Sequence, residues 1–264
     1  MNGKLYGIGA GPGDPELLTL KAINTIQKCS VIAVPETGSG EQAALAIVEK
    51  HLDGKELLSC RFSMERDVAK RREARQAAAA HIMQFLRDGK DVGFVTLGDP
   101  TTYSTYMYVH EIIVGKGFDA EIIPGVTSYT AAAAALGMAL CTGEETLTII
   151  GRSKNMDELL AIPGNKVIMK SGENLMLVLA QLKARGYGDR TKIVCRATMD
   201  GQRLYDSIEA YEQSPEAGYF ALAIVKESTA RGAEVAKASA KAQGSDAPDA
   251  SDAPEHSFCE EECR

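Results

Sequence analysis

The chain has 264 residues, 45% hydrophobic and 25% charged, with a net charge of −7. That balance suits a soluble folded protein of one large or two modest domains and argues against a general nucleic-acid binder, which shows a basic excess. No apolar run is long enough to cross a bilayer, and the first residues lack the basic-then-apolar pattern of a secretion signal, so a cytoplasmic protein with reduced thiols at Cys29, Cys60, Cys141 and Cys195 is expected.

Residues 4–10 read as a strand and 15–28 as a helix. The turn between them carries Gly9, Gly11 and Gly13 on alternate positions, followed by Asp14 as a helix N-cap and Pro15 at a first helical position. The turn does not match the dinucleotide fingerprint. From Gly7 the third glycine slot of that motif is Pro12, and from Gly9 it is Asp14. Glu36 stands where a ribose-binding acid would, but acids at strand ends are common.

Val31-Ile32-Ala33-Val34 reads as a short buried strand, 41–51 as a helix and 64–88 as a long helix ending near Gly89. Gly93-Phe94-Val95-Thr96 reads as another buried strand. It runs into the turn Leu97-Gly98-Asp99-Pro100 and a helix reaching about Gly115, and 120–123 follows as a strand. This alternation predicts an α/β fold with a largely parallel sheet. Pro124-Gly125 marks the expected boundary between an N-terminal α/β domain (1–124) and a C-terminal one (125–228). An alanine-rich helix at 130–136 is expected next. Strands near 146–150, 166–170, 191–197, 203–207 and 219–225, with helices near 155–161, 173–185 and 207–213, suggest a mixed sheet. Residues 229–264 are expected to be a disordered tail, in which Ala230 to Lys241 has helical composition in isolation but no apolar stripe and Gly244 to Glu255 repeats Asp-Ala-Pro. His256, Cys259 and Cys263 lack standard ligand spacing and a clear fourth ligand, so no metal site is expected there.

Three stretches together resemble the tetrapyrrole methylase family. They are Gly9 to Ala22, Gly98-Asp99-Pro100 with Tyr103, and Pro124-Gly125-Val126-Thr127-Ser128, in matching order and spacing. The likeness covers roughly residues 3–228. Ser104-Thr105-Tyr106 and Arg196-Ala197-Thr198 are similar to the branch that methylates C20 of precorrin-2, or of its cobalt-containing counterpart, in cobalamin synthesis. The resemblance implies two α/β domains with S-adenosylmethionine (SAM) in the cleft between them, usually in a homodimer, and not the Rossmann-type methyltransferase fold. It implies that Pro12 lines the cleft floor and that Leu97, Gly98, Asp99 and Thr102 surround the amino-acid part of SAM. Thr127 and Ser128 would hydrogen-bond the cofactor, and Met169 and Ala197 would meet its adenosyl end.

A base for the proton that leaves the methylated carbon is not assigned by sequence; Tyr103, Tyr106 and Glu36 are the candidates. The uroporphyrinogen III methylases of the family carry an Asp at the end of the second strand. Here that position is Pro35, beside Glu36, which argues against that substrate. Substrate carboxylates call for basic partners. Arg66, Lys70, Arg71, Arg72 and Arg75 form the largest basic run, readable either as that partner or as a solvated helix face, with Arg61 and Arg152 as alternatives. His51, His81 and His110 fall in helices and are read as structural, so that any cobalt would arrive with the substrate. Other SAM-dependent methylases of the same fold, acting on another corrin position, uroporphyrinogen III, diphthine or rRNA, remain alternatives, as does a nucleotide-binding oxidoreductase or a non-catalytic binding module.

Overall fold

The computed structural model describes residues 1–35, 39–62, 67–151, 155–215 and 220–227. Ten strands are found among them: β1 Leu5–Gly9, β2 Val31–Pro35, β3 Glu56–Cys60, β4 Val92–Thr96, β5 Ala120–Ile123, β6 Leu147–Ile150, β7 Asn165–Ile168, β8 Thr191–Cys195, β9 Arg203–Tyr205 and β10 Ala221–Val225. Eight α-helices accompany them: α1 Leu20–Lys28, α2 Ser39–Val48, α3 Val68–Arg87, α4 Tyr106–Gly115, α5 Ser128–Ala135, α6 Met156–Ala161, α7 Leu175–Ala184 and α8 Ile208–Gln213.

The first sheet has the order β3-β2-β4-β1-β5 and every pairing is parallel. Its strands alternate between two cores, as the two-residue period of a strand requires. Leu5, Val31, Ala33, Val92 and Phe94 face α3 and α4, whereas Ile8, Ile32, Val34 and Val95 face α1 and α2. Both faces are therefore covered, which is why these strands are short, continuous apolar runs. Gly7 belongs to this packing, because the Tyr106 ring fills the space where a side chain would stand.

The second sheet has the order β6-β7-β10-β8-β9. β6 and β7 are parallel, and β10 runs antiparallel between β7 and β8. α5 covers one face, over Val167, Met169, Val194, Leu222 and Ile224. The helices α6, α7 and α8 cover the other, over Ile168, Ile193, Cys195 and Ala223. The expected mixed sheet late in the chain is thus present. Among the described residues no helix is long and apolar enough to cross a membrane. Burial pushes the Cys29 and Cys60 thiols up to about 12, so both stay protonated at neutral pH.

Two elements differ from the sequence expectation. β3 was absent from it, because Glu56, Leu57 and Ser59 are exposed on an edge strand and leave no apolar pattern. The helix expected over 15–28 is instead a short 3-10 turn at Pro15–Leu17 followed by α1. Leu18 is extended, and Thr19 caps α1 by accepting from the Ala22 N–H at 3.1 Å. The 229–264 tail, with His256, Cys259 and Cys263, lies outside the described residues.

The cap makes a discriminating test. Thr19→Ala should cost about 1 kcal/mol in urea unfolding, with Thr19→Ser close to the parent. A continuous helix from Pro15 would instead be slightly stabilised by alanine at that position.

Candidate active site

The carboxyl ends of parallel strands are where open α/β sheets bind ligands, because the loops there diverge and expose backbone. In this chain three such loops meet through glycine. A Cβ on Gly125 would stand 2.3 Å from the Gly98 carbonyl oxygen, and one on Gly9 would stand 2.6 Å from the Gly125 nitrogen. Gly11 and Gly98 exchange two backbone hydrogen bonds across an isolated bridge, at 3.2 and 2.7 Å, and both have positive φ (76° and 73°).

Asp99 fastens the junction. One carboxylate oxygen accepts from the Thr101 N–H at 2.8 Å and from the Thr101 hydroxyl, and the other accepts from the Gly125 N–H at 2.9 Å. The side chain is buried, so these bonds replace the water it gave up.

Beside the junction opens a cleft of about 770 Å³, counted out to its open mouth. Pro12, Leu97, Gly98, Asp99, Thr102, Thr127, Ser128 and Met169 all line it. A second pocket shares Pro12, Leu97, Ser128 and Met169 with it and adds Ala197. The structure thus brings together every residue that the resemblance placed around a cofactor. Sequence reasoning missed Lys170, Met199, Phe220 and Leu222, which complete the walls, and gave no role to Ser104 and Thr105. Ser104 accepts from the Tyr106 N–H at 3.1 Å and so caps α4, while its oxygen lies 3.0 Å from the Thr96 hydroxyl. Lys170 follows a buried strand and carries no motif; its positive φ of 56° has no signal in the sequence.

The walls come from both sheets, and named bonds join them. The Tyr103 hydroxyl donates to the Ile149 carbonyl at 3.0 Å and accepts from the Gly151 N–H at 3.1 Å. The Lys170 ammonium donates to the Tyr103 carbonyl at 2.7 Å. On the other side the Asp14 N–H donates to the Thr198 hydroxyl at 3.2 Å, and Gly13 packs where a Cβ would strike Met199.

The base candidates fare differently. Tyr106 is a correction: its side chain is fully buried in the first sheet's core, outside the cleft lining, and its hydroxyl pairs with His110 Nδ1 at 2.9 Å. Burial raises its phenol further above neutral pH. Tyr103 is half exposed, but its hydroxyl is committed to the two backbone groups just named. Glu36 lies outside the described residues, as do Arg66 and Arg152.

The family model for the tetrapyrrole (corrin/porphyrin) methylases matches residues 4–210, a span that contains the three meeting loops and most of both walls. The chain belongs to the tetrapyrrole methylase family. A probable cobalt-precorrin-2 C(20)-methyltransferase of Methanocaldococcus jannaschii is 33% identical, the match covering 84% of this chain and 96% of the relative. A precorrin-2 C(20)-methyltransferase of a Sinorhizobium species is 31% identical over 84% of this chain and 95% of its own. In fold, the chain is similar to a uroporphyrin-III C-methyltransferase of Thermus thermophilus complexed with S-adenyl homocysteine. The TM-score is 0.65 at 23% identity, with 85% of this chain and 98% of that one covered.

Two substitutions separate scaffold from chemistry. Asp99→Asn puts an amide donor against an N–H it must accept from, and should cost about 1–3 kcal/mol of stability together with ligand affinity in the cleft, read by urea unfolding and calorimetry. Tyr106→Phe should cost about 1 kcal/mol and leave turnover unchanged, which kinetics on the folded variant would check.

Proposed function

We propose that this chain is a SAM-dependent methyltransferase that methylates C20 of precorrin-2 or cobalt-precorrin-2 on the way to cobalamin. The observation that carries this reading is the end-to-end similarity to C(20)-methyltransferases, spanning 95–96% of their length. The division into domains 1–124 and 125–228 rests on two sheets with separate cores. The acidic balance and the absence, among the described residues, of a membrane-crossing helix support a cytoplasmic enzyme without a nucleic-acid partner. A homodimer is proposed from the family resemblance alone.

The cleft fits SAM by its chemistry. Thr102, Thr127 and Ser128 offer hydroxyls, and Met169, Ala197 and Leu222 offer an apolar wall suited to a flat adenine. A Cβ on Gly98 would meet open space, so its backbone lies bare to a ligand. Asp99 and Lys170 are each held by backbone groups, beside a lining that suits the zwitterionic amino-acid end of SAM.

SAM supplies a methyl group already activated on a sulfonium. The chain's own contribution is to hold that ligand against the loop at Gly98, to fix the two walls through Tyr103 and Thr198, and to exclude water. Alignment of this kind accounts for much of the acceleration of a group transfer.

Anaerobic turnover with SAM tests the assignment, with metal-free precorrin-2 and its cobalt complex as parallel acceptors and mass spectrometry as readout. Gain of one methyl at C20 on either acceptor is expected. SAM binding without methyl gain on either would send the activity to another acceptor of the family.

A further inference from the structure

α3 and α4 follow β3 and β4 of the parallel sheet, so both helices begin at the carboxyl edge where the cleft opens. They pack side by side over one core, and Arg75, about two turns into α3, meets Tyr108 in the first turn of α4. Lys70, Arg71, Arg72 and Arg75 all sit in the first half of α3. They are not equivalent. Arg71 donates back to the Asp67 carbonyl at 3.4 Å, a local contact at the helix cap. Lys70 and Arg72 are exposed on the outer side. Arg75 is half-buried, and its guanidinium carbon lies 3.5 Å from the centroid of the Tyr108 ring on α4.

A guanidinium held flat on an aromatic face keeps its edge N–H groups outward, in the fork that matches a carboxylate. Stacking also removes much of the freedom a long side chain would otherwise lose on binding. No carboxylate of the described residues pairs with Arg75. Thr105 lines the cleft, and Tyr108 stands about 5 Å further along the chain, roughly one turn of α4. The Arg75–Tyr108 pair is not itself part of the lining but is a preformed cation about one helical turn from the lining residue Thr105.

We infer that Arg75, stacked on Tyr108, is a docking point for a carboxylate arm of the acidic macrocyclic substrate. This rests on the tetrapyrrole reading above and adds a residue to it. A macrocycle seated in the cleft reaches the rim with its peripheral carboxylates, and Arg75 takes one of them by paired, charge-assisted hydrogen bonds. Tyr108 acts as a positioning residue through its ring, so the hydroxyl is dispensable.

The test uses uroporphyrin III, a polycarboxylate porphyrin, as a fluorescent probe, with its methyl ester as control and SAM binding as a check on folding. Arg75→Ala is expected to weaken the acid probe about tenfold, the scale of one charged hydrogen bond. The ester should bind the variant and the parent alike. Tyr108→Leu should weaken the acid probe, whereas Tyr108→Phe should restore it. SAM affinity should hold in all variants. Added salt should shrink the difference between Arg75→Ala and the parent. In turnover the loss should fall on KM for the tetrapyrrole, not on kcat. Equal binding of the acid probe by Arg75→Ala and the parent would overturn the docking point while leaving the methylase reading intact. Failure of the parent both to bind the acid probe and to methylate either precorrin-2 or its cobalt complex would overturn both.

Discussion

Backbone touching backbone is the constraint on which this structure turns. Gly9 ends β1, and Gly98 and Gly125 lie in the loops after β4 and β5, yet each lies where a neighbour's side chain would have to be. Such contact leaves no room for adjustment by rotamers, so the three segments are fixed relative to one another more tightly than side-chain packing allows. The Asp99 carboxylate adds direction by holding the Gly125 N–H. α5 begins three residues after Gly125 and lies on the inner face of the second sheet. The placement of that sheet against the first therefore descends from the same junction.

The cleft wall is built from backbone held in unusual conformations. Tyr103, Lys170, Arg196 and Thr198 are the four non-glycine residues with positive φ among those described, and all four stand in loops around the cleft. Each such residue costs about 1–2 kcal/mol in a chain of L-residues. Each is also held by a named bond. Tyr103 binds the end of β6, Lys170 binds Tyr103, Arg196 Nε donates to the Asp200 carbonyl at 2.7 Å, and Thr198 accepts from the Asp14 N–H. Strain that is over-determined in this way marks a site kept ready for a ligand.

Much of this was legible in the sequence. The apolar runs at 31–34 and 93–96 are strands buried on both faces, and their composition says so directly. The glycine turn and the Pro124-Gly125 break carried the resemblance because glycine is required by position there, not by preference. Other features had no local signal. β3 is an edge strand whose solvent-facing residues erase the pattern. Thr19 looks like a mid-helix residue until the extended Leu18 beside it is known. Tyr106 reads as a site residue because it adjoins the cleft loop, but the helix turns it inward onto Gly7. Arg75 is indistinguishable from Arg72 by sequence, and only the neighbouring helix supplies the ring that sets it apart.

The strand order gives the protein a timetable. The first sheet is complete once residue 123 has been made, and its loops can take their shape while synthesis continues, since domains fold amino-terminal first. The second sheet is different. β10 is the last strand described, yet it lies between β7 and β8, which carry the loops bearing Met169 and Ala197. Until residue 225 is available those two strands have no common partner, and the far wall of the cleft does not exist. Between residues 123 and 225 a nascent chain thus displays half a binding site, and it becomes competent for ligand only when this central strand arrives.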